Sequence, residues 1–160
     1  MELFEIKDVQ LKSDACKNIT AQLPEWFGIP EANEKYISDA GKYPAIAAKV
    51  QDNIIGLLVY KAVHCDIKNI NVIDIHWLGV MPDFHGHKIG SALINFLIDK
   101  ITHHILTVET LDPDVEDEFY LKTFQFYKAQ GFNIYHRFEY ENGSKMVKMD
   151  KTIYNSQQQD

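Results

Sequence analysis

The chain has 160 residues, a length that fits one domain able to bury a core without disulfides or metals. Hydrophobic residues make up 46% and charged residues 24%, which excludes an intrinsically disordered chain. The formal net charge of -7 argues against a broad nucleic-acid surface, because phosphate binding requires clustered basic side chains.

Two further features bear on where the protein resides. The first residues lack the basic start and apolar run of a signal peptide, and no stretch of about 18 apolar residues predicts a membrane span. Cys16 and Cys65 are too few for a disulfide framework, and neither resembles a nucleophile. We therefore expect a cytoplasmic protein without membrane contact, in which residues 1–153 form one domain and residues 154–160 a solvated tail.

The first half of the chain predicts two helices and a hairpin. Ser13 is the expected N-cap of a first helix that ends at Pro24. Pro30 and Gly41 are placed to begin and end a second helix, since proline favours the first helical position and glycine the position after the last. Two strands joined by a tight turn follow, at residues 45–50 and 54–63.

The second half alternates strands and helices. Residues 72–80 predict a central strand that is mostly apolar on both faces, as at the centre of a covered sheet. A helix over about 86–102 and a strand over 105–111 follow, and this strand–helix–strand order places the two strands in parallel. A further helix ends at Gly131, which we expect to be a left-handed cap, and two final strands lie near 132–138 and 144–151.

The junction between the central strand and the next helix is the most informative stretch. A helix N-terminus has unpaired N–H groups and a partial positive charge, and it therefore suits an anion. Gly86 and Gly90 let the backbone approach a pyrophosphate closely, and positive charge is added by Lys88 and by protonated His85 or His87. The alternative is a tight turn in which glycine only permits close packing.

His85 and His87 also raise the question of a metal site. Two residues apart at a helix start, their side chains diverge, and no third ligand is signalled nearby, whereas a metal needs at least three placed ligands. We therefore expect no metal.

Three segments together resemble a known family. His85-Gly-His-Lys-Ile-Gly90 is similar to a Gln/Arg-x-x-Gly-x-Gly/Ala motif, with His85 in place of Gln or Arg and Lys88 in place of the middle glycine. Tyr120-x-x-Thr-x-x-Phe-Tyr-x-x-x-Gly-Phe132 is similar to a late helix and strand, and Leu23-Pro-Glu-Trp-Phe-Gly-Ile29 to an early segment beside an acceptor site. In this order they resemble the GNAT superfamily of N-acetyltransferases. The resemblance implies a mixed α/β fold: a mostly antiparallel central sheet with a splayed parallel strand pair, flanked by about four helices.

The resemblance also implies that acetyl-CoA binds in a V-shaped opening between the parallel strands at 72–80 and 105–111. Backbone groups of Leu78, Gly79 and Val80 would pair with the pantetheine arm, and one N–H there would polarise the thioester carbonyl. The pyrophosphate would lie against the amides of His85, Gly86, His87, Lys88, Ile89, Gly90 and Ser91.

The implied reaction is direct attack by a primary amine of a small molecule or peptide, which must first lose a proton. Asp74 is the predicted base, because it interrupts an apolar strand and relatives carry an acidic residue there; Glu109 is the alternative. A structural role for Asp74 at the strand start or beside a buried donor stays open. His76 follows on the same strand face and could relay a proton, and Tyr127 matches the tyrosine that protonates the CoA sulfur.

The acceptor is less well defined. Trp26, Phe27 and His76 are the predicted acceptor contacts, although the two aromatic residues could instead pack the first helices onto the sheet. Residues 112–118 hold five acids, which either form a rim that attracts a cationic amine or favour the start of the next helix. Many relatives dimerise, so the resemblance is compatible with a homodimer, but no segment marks an interface and the sequence leaves the oligomeric state open. The substitutions at His85 and Lys88 keep open an alternative, a catalytically weak acyl-CoA-binding or regulatory module.

Overall fold

The computed structural model describes residues 1–101 and 104–153, and the tail predicted at residues 154–160 lies outside the described residues. Over the described ranges the chain forms four α-helices and seven strands. In chain order they are β1 (Glu2–Ile6), α1 (Val9–Ala21), α2 (Pro30–Lys42), β2 (Ala45–Val50), β3 (Asn53–Val63), β4 (Asn71–Val80), α3 (Ile89–Lys100), β5 (His104–Leu111), α4 (Glu118–Ala129), β6 (Asn133–Glu139) and β7 (Lys145–Thr152).

The strands form a seven-stranded mixed sheet in the order β1-β2-β3-β4-β5-β7-β6. Strands β4 and β5 run parallel, as the strand–helix–strand order predicted, with a register from Asn71–His104 to Ile75–Val108. The pairs β1–β2, β2–β3, β5–β7 and β6–β7 are antiparallel. The predicted fold class, a mostly antiparallel sheet with one parallel pair and four helices, is therefore confirmed. None of the helices in the described ranges is long and apolar enough to cross a membrane.

Three local expectations are corrected by the structure. The N-cap of α1 is Asp8, whose carboxylate accepts from the Leu11 N–H, whereas Ser13 lies inside the helix and its hydroxyl donates to the Ile37 carbonyl. The strand β1 was not predicted, and it pairs with β2 through all five of its residues. Helix α3 begins at Ile89 rather than near residue 86, because Gly86 and Lys88 have positive φ angles that are incompatible with a right-handed helix.

The described residues divide into two compact units. The first comprises Met1–Lys61 and His76–Ile101, and its core is formed by the inner sides of α1 and α2 against β2, β3 and the second half of β4. Ile19, Leu57 and Val59 are fully buried there, together with Cys16. Burial raises the pKa of the Cys16 thiol to about 11, which keeps it protonated and unreactive near neutral pH.

The second unit comprises Ala62–Ile75 and the described residues 104–153. Its strands carry the buried side chains Leu106, Val147 and Met149. Helix α4 ends at Ala129, and Gly131, the residue after its C-cap Gln130, has a φ of +92°, which confirms the left-handed cap predicted from sequence. Phe132 follows directly and is fully buried against the ring of Tyr127.

Candidate active site

The turn between β4 and α3 leaves backbone accessible. Gly86 has a φ of +79°, and a Cβ built there would meet nothing within 4 Å. The first hydrogen bond of α3 runs from the Ala92 N–H to the Lys88 carbonyl at 3.0 Å. The N–H groups of Ile89 and Gly90 precede this bond and therefore do not take part in the helical ladder. At Gly86, therefore, close packing is not the reason for glycine.

Lys88 occupies a conformation that normally favours glycine. Its φ is 60° and its ψ is 23°, and it is the N-cap residue of α3 without a side-chain hydrogen bond to the helix. This is the position at which the sequence motif expects glycine. The lysine therefore costs backbone strain while its exposed ammonium adds positive charge beside the helix start.

His85 holds the turn against the strand that precedes it. Its Nε2–H donates to the Val80 carbonyl at 2.7 Å, and its ring meets the Trp26 ring edge-on at 5.8 Å between centroids. The sequence analysis assigned the His85 side chain no contact within the fold, whereas the structure shows it bonded to Val80 and packed against Trp26. His87 is exposed in the same turn.

The two aromatic residues before α2 have different surroundings. Phe27 packs on Trp77 at 5.4 Å and on Tyr36 at 6.0 Å between ring centroids, as the packing alternative predicted. Trp26 is half-buried and contacts His85 of the turn. Of the pair, Trp26 is therefore the residue that the first unit brings beside the β4–α3 turn.

Strand β4 alternates in burial, whereas the sequence predicted apolar cover on both faces. Ile73, Ile75, Trp77 and Gly79 are buried, and the residues between them are only half-buried. The predicted functional side chains Asp74, His76, Leu78 and Val80 all belong to the half-buried face. The correction has a physical reason, since a strand with period-two burial needs cover on one face only.

Gly79 is required on the buried face of β4. A Cβ at this position would lie 2.4 Å from the Trp77 ring and 2.9 Å from Ile19. The side-chain position is therefore a packing constraint.

His76 has a charged partner that the sequence did not reveal. Its Nε2 lies 2.8 Å from the Asp39 carboxylate on α2, and both side chains are largely buried, 16% and 12% exposed. No periodicity or motif links positions 39 and 76. The available signal was weak: an aspartate in the small-residue run Ser38-Asp-Ala-Gly41, on the last turn of a helix.

The two predicted bases, Asp74 and Glu109, belong to the second unit. The Thr107 hydroxyl, from the β5 residue paired with Asp74, donates to its carboxylate at 2.8 Å. Glu109 is exposed and accepts from the Tyr140 hydroxyl. Burial, and secondarily the negative charges of Asp150, Asp74 and Glu109, raise the pKa of Tyr135.

Tyr127 is buried on α4, with 5% of its surface exposed. Its ring lies edge-on to Phe126 at 5.2 Å and to Phe132 at 5.5 Å between centroids. Burial, and secondarily the charge of Asp74, raises the pKa of its hydroxyl. The phenol therefore remains protonated at every physiological pH and can act as a hydrogen-bond donor.

The acids of residues 112–118 have largely structural roles. Asp112 is buried and accepts from the Arg137 guanidinium at 2.6 Å and from the Asp114 N–H at 2.9 Å. Asp117 is the N-cap of α4 and accepts from the N–H groups of Phe119 and Tyr120. The helix-start alternative therefore accounts for Asp117, and Asp112 is an internal ion-pair partner.

Within the two described ranges, no three His, Cys, Asp or Glu side chains are grouped so as to hold a metal ion. The first unit brings together the second half of β4, the turn at residues 85–88, the start of α3 and Trp26. The second unit holds Asp74, Glu109 and Tyr127.

Comparison with known proteins gives one family and several structural neighbours. The model of the Acetyltransferase (GNAT) family matches residues 13–132. A search of curated proteins finds no match.

The solved structures that resemble the chain include three acetyltransferases of differing description. A putative GNAT acetyltransferase from Desulfovibrio desulfuricans has a TM-score of 0.78 at 14% identity, over 95% of this chain and 99% of that chain. The aminoglycoside 6'-N-acetyltransferase from Enterococcus faecium has a TM-score of 0.66 at 18% identity, over 97% and 98%. Arabidopsis thaliana Naa50, in complex with the bisubstrate analogue CoA-Ac-MVNAL, has a TM-score of 0.67 at 21% identity, over 94% and 97%. At these low identities, the similarity is evidence for a shared fold only.

Since the family match spans three quarters of the sequence, the chain belongs to the acetyltransferase (GNAT) family.

Proposed function

We propose that this GNAT acetyltransferase transfers the acetyl group of acetyl-CoA to a primary amine of a small molecule or peptide, by direct attack in a ternary complex. The observation that carries the proposal is the β4–α3 turn, in which open backbone at Gly86 leads into a helix start without a side-chain cap. This combination suits a pyrophosphate, and it lies within the segment that matches the family.

Cofactor binding is proposed for backbone groups before and after the turn. β4 continues to Val80 beyond its last paired residue with β5, Ile75, so the backbone of Leu78, Gly79 and Val80 is proposed for the pantetheine arm. The Val80 carbonyl already accepts from His85, but a carbonyl oxygen has a second lone pair. The pyrophosphate is assigned to the amides from His85 to Ser91, with the Lys88 ammonium adding charge.

Asp74 is the proposed acceptor of the proton that the substrate ammonium must lose before attack. The hydrogen bond from Thr107 fixes the orientation of its carboxylate and leaves its other lone pairs for a substrate. Glu109 is the weaker candidate, because it is exposed and its carboxylate already pairs with Tyr140.

Tyr127 is proposed to donate a hydrogen bond to the departing CoA sulfur. Full proton transfer from an ordinary phenol to a thiolate is uphill by about 2 kcal/mol, from pKa values of about 10 and 8.5. Because the Tyr127 pKa is raised further, complete transfer would cost more. The raised pKa is therefore consistent with a Tyr127 hydroxyl that shares its proton with the sulfur through a hydrogen bond, while solvent later supplies the proton that the thiolate takes up.

The acceptor is proposed to lie beside Trp26 and His76, whereas the ring of Phe27 is occupied by packing. The structural neighbours are described as acting on aminoglycosides or as binding a CoA–peptide analogue. The test panel for this chain therefore spans polyamines, aminoglycosides and peptide amines.

A second candidate function is a catalytically weak acyl-CoA-binding module. It is favoured by the two departures from the motif, since Lys88 strains the turn and the His85 side chain is engaged with Val80. This candidate keeps the cofactor site and predicts no turnover.

Calorimetry with acetyl-CoA, followed by a thiol-release assay over the amine panel, separates the two candidates. Binding with CoA release on at least one amine supports the transferase, and binding without release on any amine supports the module. The absence of acetyl-CoA binding would contradict both.

The same assays test the role of Tyr127. Tyr127→Phe is expected to lower kcat about tenfold and to leave the acetyl-CoA Kd within twofold, because one hydrogen bond made to the leaving sulfur is lost. Tyr60→Phe, a half-buried tyrosine of β3, is the matched control and should change neither value. Unchanged turnover in Tyr127→Phe would remove Tyr127 from the mechanism.

A further inference from the structure

We infer that Asp39 is a positioning residue, which holds His76 with Nε2 protonated and Nδ1 free to accept a proton from the substrate nitrogen. The inference rests on the proposed transferase function. It concerns a pair that lies wholly within the first unit, on α2 and β4.

The tautomer follows from the chemistry of the pair. An ionised carboxylate only accepts hydrogen bonds, so the 2.8 Å contact requires a hydrogen on His76 Nε2. In the neutral ring the remaining nitrogen, Nδ1, then carries the lone pair. The pair is largely buried, with side chains 16% and 12% exposed, and solvent therefore competes little with the contact.

The surroundings restrain both partners. The Asp39 backbone carbonyl accepts from the Tyr43 N–H at 3.0 Å, and the Tyr43 ring lies edge-on to the His76 ring at 5.4 Å between centroids. Tyr43 is in turn held by Lys12, a lysine only 5% exposed, whose Nζ donates to the Tyr43 carbonyl at 2.7 Å. Tyr43 therefore restrains both the His76 ring, by packing, and Asp39, through the backbone hydrogen bond.

The charged groups around the ring come from three further elements. Asp39 of α2 bonds to the ring itself. Two lysines contact its neighbour Tyr43: Lys12 of α1 bonds to the Tyr43 carbonyl, and the Lys61 ammonium of β3 lies 5.7 Å from the centroid of the Tyr43 ring. Asp39 is the group that contacts the imidazole directly. A positive charge formed on His76 would therefore be balanced by an adjacent carboxylate.

Proton accounting gives this dyad a task distinct from that of Asp74. Forming an amide from an ammonium removes two protons from nitrogen, one before attack and one from the nitrogen after the C–N bond has formed. Asp74 is proposed for the first proton, and we assign the second to His76 Nδ1. One of the two protons is finally carried by the thiol of CoA as the C–S bond breaks, and the other is released to solvent.

A test independent of catalysis is long-range ¹H–¹⁵N NMR of the histidine rings in the free protein near neutral pH. We expect His76 to be the Nε2–H tautomer. Asp39→Asn should abolish this preference, because an amide can present either its oxygen or its NH₂ group, and Asp39→Glu should retain it. Asp14→Asn, an exposed aspartate of α1, is the matched control. An Nδ1–H tautomer in the unaltered protein would overturn the inference, even if Asp39→Asn failed to fold.

The kinetic test uses a double-mutant cycle. Asp39→Asn is expected to lower kcat about tenfold to a hundredfold, with KM for acetyl-CoA within twofold, and Asp39→Glu to restore much of the loss. In a His76→Gln background, Asp39→Asn should cost little more, since Asp39 acts through His76. Equal losses in both backgrounds would show a merely structural role. A protein that acetylates no amine would refute the proposed function, while the NMR result would still decide the tautomer.

Discussion

The starts of α3 and α4 solve the same physical problem in different ways. At α4, the Asp117 carboxylate accepts from two of the first backbone N–H groups, those of Phe119 and Tyr120. At α3, Lys88 occupies the cap position in a left-handed conformation, and its side chain makes no capping hydrogen bond. Each helix has a partial positive charge at its start, but only α4 neutralises it with its own residue.

The difference shows how a helix start becomes available to a ligand. A capping aspartate stabilises a helix and occupies the N–H groups that an anion would use. Replacing it with a strained lysine gives up that stabilisation and leaves both the N–H groups and a positive charge. The start of α3 therefore has the chemistry of an anion site, and the start of α4 that of a structural cap.

The largest expected effect concerns the strand that leads into α3. Gly79→Ala should lower the free energy of unfolding by about 1–3 kcal/mol, because the new Cβ would overlap the Trp77 ring that covers this position. Chemical denaturation measures the loss. Gly86→Ala is the comparison, since it adds a Cβ in open space and should cost only about 1 kcal/mol for its positive φ. A smaller loss at Gly79 than at Gly86 would contradict the packing argument.

The second largest effect is expected from a substitution that gives α3 an aspartate at its N-cap, as α4 has. Lys88→Asp should weaken acetyl-CoA binding about tenfold or more, equivalent to about 1.4 kcal/mol, because a carboxylate would repel the phosphates and compete for the helix N–H groups. Aspartate tolerates the left-handed conformation, so the fold should be retained. Calorimetry measures the acetyl-CoA affinity. Lys88→Asn, which removes the positive charge without adding a negative one, should have an affinity between those of the unaltered protein and Lys88→Asp. Unchanged affinity in Lys88→Asp would exclude this turn as the phosphate site.

Removal of the α4 cap should affect stability alone. Asp117→Ala is expected to cost about 1 kcal/mol in unfolding free energy, since two N–H groups lose their acceptor. The acetyl-CoA affinity should stay within twofold. Asp117→Asn preserves a capping oxygen and is the control, with a loss near zero. A change in acetyl-CoA affinity on cap removal would mean that the two helix starts are not functionally distinct.

The smallest expected effect is an increase in stability. Lys88→Gly should raise the unfolding free energy by about 0.5–1 kcal/mol, because glycine adopts a φ of 60° without a Cβ clash. Thermal and chemical denaturation both test this. Lys68→Gly next to Asn69 is the control, a surface lysine whose own φ is not positive, and it should produce no gain. A destabilised Lys88→Gly would show that the lysine side chain makes a contact worth more than the strain.

The sequence predicted the order and type of most elements but not all their limits. The strand–helix–strand order between residues 72 and 111 predicted the parallel β4–β5 pair, since a right-handed crossover is the usual connection. The start of α3 was placed too early, because His87 and Lys88 are compatible with a helix in sequence and only the positive φ of Lys88 reveals the turn. β1 was missed, since a five-residue edge strand depends on β2 for its hydrogen bonds.

The candidate site divides in the same way. Residues near one another in the chain, from Leu78 to Ser91, were named from sequence because strand, turn and helix follow without interruption. The partners that orient side chains were not named: Asp39 for His76, Thr107 for Asp74 and Arg137 for Asp112. Each of these contacts joins positions at least 25 residues apart. A single sequence carries no signal for such pairs unless a motif links them.

By itself, the sequence determined the alternation of elements, the acidic net charge and the glycine-bearing turn that resembles a cofactor motif. The spacing of hydrophobic residues and the residue types that favour turns are local properties, so they can be recognised in the sequence alone. Only the tertiary structure decided which face of β4 is buried, that Trp77 requires glycine at position 79, and that Asp39 meets His76. Those outcomes depend on which surfaces pack together, because burial and long-range hydrogen bonds are set by the whole fold rather than by neighbouring residues.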